Sequence, residues 1–398
     1  MSGAELAGNV DEVLAVDAET FQDRVMEEAS VIREEVDAGT FDNPQAIVGL
    51  EYEFYAVGDD GALARIPRRL LEYVGFEKEL GLHNAEMQTF PDPLNEFGLE
   101  SQEASVRARI DAAAKPMDAE GLHLVSDALW TIAPNGESAD TYLTDSVERR
   151  GQVLATNMSD TARYHAMANT DRPSGMQIDL PNVSLQADTV MPESLITSIQ
   201  PHYQVPQAAD LPEYFRYALR VAGPLLALGV NSPFLPPDLY DDVDPYEILA
   251  DGWKEHRIEI FETVLNVPGR DGKVRFPDDV ATVDDAILAI AEDDVLVPMA
   301  VEETGRFDDE FAHFRMKHGT FWRWVRPVFD GQSRTNANAR IEFRPIPAQP
   351  TVRDSIAFLA AFAGLLEQMR QYEHPLYYLP WETAKENFYA AMRDGLDA

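Results

Sequence analysis

Four short stretches of the chain set polar or charged residues two apart with apolar residues between them. They are Glu51 and Glu53 in GLEYEFYAV, Glu86 and Gln88 in NAEMQTF, Gln177 and Asp179 in GMQIDLP, and Arg340, Glu342 and Arg344 in ARIEFRPI. Successive side chains of a strand turn to opposite faces. Each set therefore projects to one side, while Leu50, Tyr52, Phe54, Met87, Ile178, Ile341 and Phe343 project to the other. If the strands share a sheet, one face carries a wall of carboxylates, amides and guanidinium groups. Such a wall is costly to desolvate unless a cation or an anionic ligand pairs with it. Hard oxygens converging on one point suit magnesium shared with nucleotide phosphates, with Glu51, Glu53, Glu86 and Glu342 as candidate ligands. Arg340 and Arg344 flank Glu342, and with Arg326 and Arg257 they offer forks for phosphate, carboxylate or the charge of phosphoryl transfer. The competing reading is a structural charge ladder, in which Glu51 and Glu53 could become glutamine with little consequence.

Other chemistries lack their residues. There is no cysteine, which removes disulfides, thiolate metal sites and cysteine nucleophiles, and the eight histidines have no zinc spacing. Walker-type, kinase and Gly-x-Ser-x-Gly motifs are absent, so an ATP site would be built on a sheet rather than on a glycine loop. Against 32 basic residues stand 70 acidic ones, a net charge of -38, and only six of the bases are lysine. That excess argues against nucleic acid and anionic membranes as partners and reads as a cytoplasmic protein of a high-salt cell. The N-terminus lacks a basic start and apolar core, so no secretory signal is expected, and no apolar run is long enough to span a membrane.

The elements that must position these residues follow from pattern and punctuation. An acidic helical lead-in over 3–39, ending at Gly39 before an Asn-Pro turn, gives an N-terminal extension over 1–43. Residues 44–398 then form one domain. Helices are expected from near Ser101 to Pro116, from about Pro212 to Leu228, and over 351–372 and 382–395. Strands are expected at 122–134, 175–180 and 318–329 besides those carrying Glu51, Glu86 and Glu342. Distant strands with helices grouped between them predict an α+β fold, a largely antiparallel sheet with helices packed on one face. Regular βα alternation and a glycine-rich first turn are missing, which disfavours a doubly wound sheet.

Gly49-Leu50-Glu51-Tyr52-Glu53-Phe54 resembles the opening motif of glutamate-cysteine ligase family 2, the carboxylate-amine ligase group, whose fold is related to glutamine synthetase. Arg163-Tyr164 with Met167, and then Gly175 to Asp179, resemble its Arg-Tyr segment and the strand where many members carry His-Val-His. Here Gln177 and Asp179 stand in those places. Asn231-Ser232-Pro233 matches the family's Asn-Ser-Pro turn, followed by Arg257. Arg340, Glu342 and Arg344 look like its Thr-x-Glu-x-Arg strand, and Glu386-Asn387 with Gly395 is similar to its last motif. The ordered motifs span about residues 46 to 398 and suggest a haloarchaeal-type member with a shortened C-terminal helical part.

The resemblance implies a glutamine synthetase-like catalytic domain that uses ATP and Mg2+. It would phosphorylate the side-chain carboxylate of glutamate, and an amine, expected to be cysteine, would attack the acyl phosphate. Glu51, Glu53, Glu86 and Glu342 would hold the metal, and Arg340, Arg344 and Glu342 would act in catalysis. Gln177, Asp179, Arg163, Asn231, Arg257 and Arg326 would bind substrate or nucleotide. A different amine acceptor and a non-catalytic nucleotide-binding member are the alternatives, and a homo-oligomer is left open.

Overall fold

In the computed structural model, which describes all residues except 171–173, 270–271 and 303, the alternating segments are strands of one sheet. In chain order the strands are β1 (Ile47–Gly58), β2 (Glu77–Lys78), β3 (Asn84–Gln88), β4 (Asp92–Pro93), β5 (Leu122–Val125), β6 (Ser146–Arg149), β7 (Gln152–Ala155), β8 (Gln177–Leu180), β9 (Val183–Gln186), β10 (Ile199–Gln204), β11 (Val325–Asp330) and β12 (Asn338–Phe343). The main sheet runs β11-β12-β10-β1-β3-β2, with β4 and β5 also paired to β1, and all of its strand pairs are antiparallel. β6-β7 and β8-β9 are separate hairpins.

The apolar side of this sheet makes the core. Leu50, Tyr52, Phe54, Met87, Tyr203, Ile341 and Phe343 are all buried there, as period two requires. The helices Glu96–Asp118, Leu211–Gly229 and Val352–Gln371 cover that side, and Trp381–Asp394 packs on Leu211–Gly229. Phe343 stacks on Phe362 with ring centres 4.2 Å apart. Mixed helix and antiparallel sheet, with these helices on one face, is the expected α+β architecture.

The lead-in is two helices, Gly3–Leu14 and Ala18–Asp37, started by Ser2 with Glu5 in a capping box and by Asp17. The second docks through buried Phe21, Val25, Ala29 and Ile32, and Glu28 accepts from the Phe314 backbone N–H at 2.9 Å. Other boundaries differ from the sequence reading. The helix expected at Ser101 begins at Glu96, because Asn95 caps it by accepting from Gly98 N–H, and it carries Pro116 in its last turn. Of 122–134 only Leu122–Val125 is strand, and 318–329 becomes strand only at Val325, after the helix Ala312–His318. Trp322 and Trp324 both pack against Phe261. Among the described residues, no helix is long and apolar enough to cross a membrane.

The helices Leu211–Gly229 and Trp381–Asp394 cross at Gly223, where an added Cβ would lie 2.9 Å from the backbone carbonyl of Asn387. Backbone cannot yield as a side-chain tip can. Gly223→Ala is expected to cost about 1–3 kcal/mol, read as a lower denaturant midpoint at unchanged slope. An unchanged midpoint would mean the two helices separate without loss.

Candidate active site

Register, rather than sequence proximity, assembles the polar face. Glu51 of β1 lies opposite Gln88 of β3 and Gln200 of β10, and Glu53 lies opposite Glu86. Glu342 of β12 lies opposite His202 of β10 and Arg326 of β11. Directly opposed residues share a face, so Glu51, Glu53, Glu86, Glu342, Arg326 and Arg340 are brought together as expected, and Arg344 joins them just beyond β12.

Gln177 and Asp179 are not part of this wall. Their strand, β8, pairs with β9 through a two-residue turn at Pro181-Asn182, with Asn182 at φ 62°, and Asp179 is exposed. The place between β1 and β12 belongs to β10, whose Gln200, His202 and Gln204 have the same spacing. Pro201, facing the apolar side opposite Leu50, hides this strand from sequence reasoning, since proline argues against a central strand. Glu79, just after β2, and Glu193, in the short 3-10 helix Met191–Leu195, also line the cleft and were missed. Glu79 continues the two-apart pattern from Glu77; Glu193 carries no such signal. Arg163 donates to the carbonyl of Met316 at 2.9 Å, leaving its neighbour Tyr164 at the cleft. Arg257 and Asn231 lie at the exit of β12, bonded to backbone carbonyls of residues 344–348.

The face divides into an acidic side and an ion-paired side. Glu53 accepts from Ser198 N–H at 2.6 Å and from Gln200 Nε2 at 2.7 Å, yet burial and the nearby Glu79 push it up to about 7. Burial, with Glu79 and Glu53 close by, pushes Glu193 up to about 8. Burial and the charges of Glu51 and Glu79 raise Glu86 as well. On the other side, burial alone would raise Glu342, but Arg326 Nε at 2.8 Å and Arg344 Nη1 at 3.0 Å share its Oε1 and hold it far below the carboxylate range.

Between these sides stand Glu51, His202 and Glu342, each offering a ligand atom within 4.8 Å of the others. His202 Nε2 is buried without a hydrogen-bond partner, 3.4 Å from Glu51 Oε1. Carboxylates that repel one another plus one unpartnered imidazole nitrogen fit a divalent cation of the magnesium or manganese type. Two recesses of about 180 and 310 Å3 share Glu51 and Gln88 in their linings, and His202 lines the smaller. The smaller holds Gly49, Asn338 and Arg340, and the larger Glu53, Glu79, Glu86 and Glu193 with Phe261, Trp322 and Tyr164.

The family model of glutamate-cysteine ligase family 2 matches residues 12–398. The chain belongs to that family. It is thus an ATP-dependent carboxylate-amine ligase by family, with no match among curated protein sequences. Among solved structures, glutamate-cysteine ligase from Francisella tularensis in complex with AMP is similar at TM-score 0.51 and 13% identity, covering 89% of this chain and 72% of that one. A bifunctional glutathione synthetase from Pasteurella multocida gives TM-score 0.47 at 12% identity, covering 92% of this chain and 50% of that one. A glutamine synthase homologue gives 0.35 at 12%, covering 91% and 65%. At 13% identity the Francisella tularensis structure speaks for the fold alone, and that fold agrees with the family.

In this family member Glu53 and Glu193 hold protons more tightly than the ordinary carboxyl near 4.5. The folded state then binds more protons than the unfolded chain between those values, so this contribution is complete below about pH 4.5 and is lost as pH rises through 7 to 8. Melted in EDTA and molar salt, the wild type is expected to lose stability across that window, and Glu53→Gln to lose less. Parallel curves for wild type and variant would remove Glu53 from this balance.

Proposed function

We propose that the protein joins the side-chain carboxylate of glutamate to an amine, cysteine being the acceptor, with ATP and Mg2+ and through an acyl phosphate. The observation that carries this reading is that two recesses share Glu51 and Gln88, and that Glu51 also belongs to the group of possible cation ligands with His202 and Glu342. A nucleotide in one and an amino acid in the other would bring a γ-phosphate against a carboxylate.

A glutamate carboxylate oxygen attacks the γ-phosphorus while the bond to the β-phosphate oxygen breaks and ADP leaves. The acceptor nitrogen then attacks the acyl carbon, inorganic phosphate leaves, and the amine gives up a proton. Glu51, Glu53, Glu86, Glu342 and His202 would hold the divalent cations, which when bound neutralise and orient phosphate oxygens. Arg326 and Arg344, poised on Glu342, stabilise charge spreading over the transferred phosphoryl oxygens. Glu79 and Glu193, ionised once cations relieve the repulsion in the cleft, attract the acceptor's ammonium group and take its proton. The aromatic side made by Trp322 and Phe261 excludes water that would hydrolyse the acyl phosphate.

A second reading is a ligase for an amine without a carboxylate. It is favoured by the charge of the larger recess, where Arg326 and Arg344, the cations lining it among the described residues, are both engaged by Glu342.

The test is ADP formation in molar salt with glutamate, Mg2+ and a panel of amines. ADP release dependent on cysteine is expected; release dependent only on a carboxylate-free amine supports the second reading, and no release with any amine defeats both. Glu342→Gln is expected to lower kcat about a hundredfold or more, with the fold checked by circular dichroism. An unchanged kcat would take Glu342 out of the chemistry.

A further inference from the structure

The ladder of β12 ends where Phe343 pairs with Val325. The next residues, Arg344-Pro345-Ile346-Pro347-Ala348, include two prolines that donate nothing, and the carbonyls of Arg344 and Pro345 have left the ladder. Arg344 is nonetheless the residue whose Nη1 meets Glu342 Oε1 at 3.0 Å. The sheet holds this segment at the Arg344 N–H, which donates to the Trp324 carbonyl, and again at the Ile346 carbonyl, which accepts from Ile199 N–H, so the aim of Arg344 depends on what holds the two carbonyls between them.

Arg257 holds it. This side chain is 3% exposed, and its Nη2 donates to the carbonyl of Arg344 at 3.3 Å and to that of Pro345. Its guanidinium lies 5.2 Å from the ring centre of Trp324, whose carbonyl accepts from Arg344 N–H at 2.9 Å. Arg257 is itself braced. Its Nε lies 3.3 Å from Oε1 of Glu255, which is fully buried, and Glu255 Oε2 accepts from Asn231 N–H at 3.1 Å. Asn231 Nδ2 reaches forward to the carbonyl of Ala348 at 2.8 Å, and Ser232 Oγ accepts from Arg257 N–H at 3.4 Å. The Asn-Ser-Pro turn and the arginine that follows it therefore converge on the segment leaving β12.

We propose that Arg257, braced by Glu255 and Asn231, is a positioning residue that fixes the backbone of Arg344 and so aims its guanidinium into the cleft. The proposal rests on the role given to Arg344 in phosphoryl transfer. Arg257 and Asn231 act here through the chain, not by touching substrate. One nitrogen of a planar fork serves two successive carbonyls while Nε faces Glu255 and the guanidinium lies over the Trp324 ring, a task a lysine ammonium performs only in part.

The variants are Arg257→Lys, Arg257→Gln, Glu255→Gln with Arg257→Gln, and each combined with Arg344→Lys. The Glu255 and Arg257 pair is removed together because a lone buried carboxylate could prevent folding. Arg257→Gln is expected to lower kcat about tenfold to a hundredfold, with KM for ATP and glutamate held within about threefold. Arg257→Lys should recover part of that loss. In the Arg344→Lys background the same changes should cost little more, because the group being aimed is already altered.

A glutamate KM raised about tenfold at preserved kcat would make Arg257 a substrate contact and overturn the proposal. Fully additive effects would overturn it too. Crystal structures of the wild type and the Glu255→Gln, Arg257→Gln variant supply a readout independent of turnover. Arg344 is expected to leave Glu342 in the variant; an Arg344 that keeps its contact there overturns the proposal. If the wild type turns over no amine at all, the ligase reading falls alone and this structural comparison still decides the role of Arg257.

Discussion

The constraint on which the rest depends is the concentration of carboxylates on one face of a buried sheet. β1 is apolar at Leu50, Tyr52 and Phe54 and acidic at Glu51 and Glu53, so one strand serves both the core and the cleft. Burying the first set draws the second out of bulk water, and the neighbouring strands add Glu86 and Glu342 to the same side. That loss of water, and after it the repulsion of like charges, is why Glu53, Glu86 and Glu193 hold protons where exposed carboxylates would not. Cations relieve that repulsion. The cleft is thus poised for positive charge, and a metal–nucleotide complex would bring it together with the anions to be activated.

Glu342 plays the opposite part on the same face. Two guanidinium groups hold it ionised, and it holds them in turn against the cleft. Because its partners come from β11 and from just past β12, their geometry depends on two antiparallel strands and on a proline-rich exit. The proposed brace from Arg257 extends that dependence to the Asn-Ser-Pro turn. Packing serves the same end: Phe343, one residue from both Glu342 and Arg344, is stacked on Phe362 beneath the sheet.

Much of this was legible because period two is a strong signal when charged and apolar residues alternate without interruption. Glu51, Glu53, Glu86, Glu342, Arg326 and Arg344 all fall where that alternation predicts. Misreadings trace to local features that override it. Gln177 and Asp179 alternate correctly, but Pro181-Asn182 folds their strand onto its neighbour and away from the sheet. Gln200 and His202 sit in the strand that matters, concealed by Pro201. Glu193 reaches the cleft from a short 3-10 helix, where no periodicity announces it, and Arg257 has a motif-like position but a buried, backbone-directed contact that spacing cannot distinguish from a ligand contact.

Mn2+ binding followed by electron paramagnetic resonance, with and without a non-hydrolysable ATP analogue, reads directly whether this face holds a metal–nucleotide complex. The free Mn2+ signal is expected to fall when protein and analogue are both present, and that fall to be lost in a Glu51→Gln, Glu53→Gln variant that still folds. Analogue binding that is equally tight in EDTA, or Mn2+ uptake that survives both substitutions, would contradict a metal–nucleotide floor built on this face of the sheet.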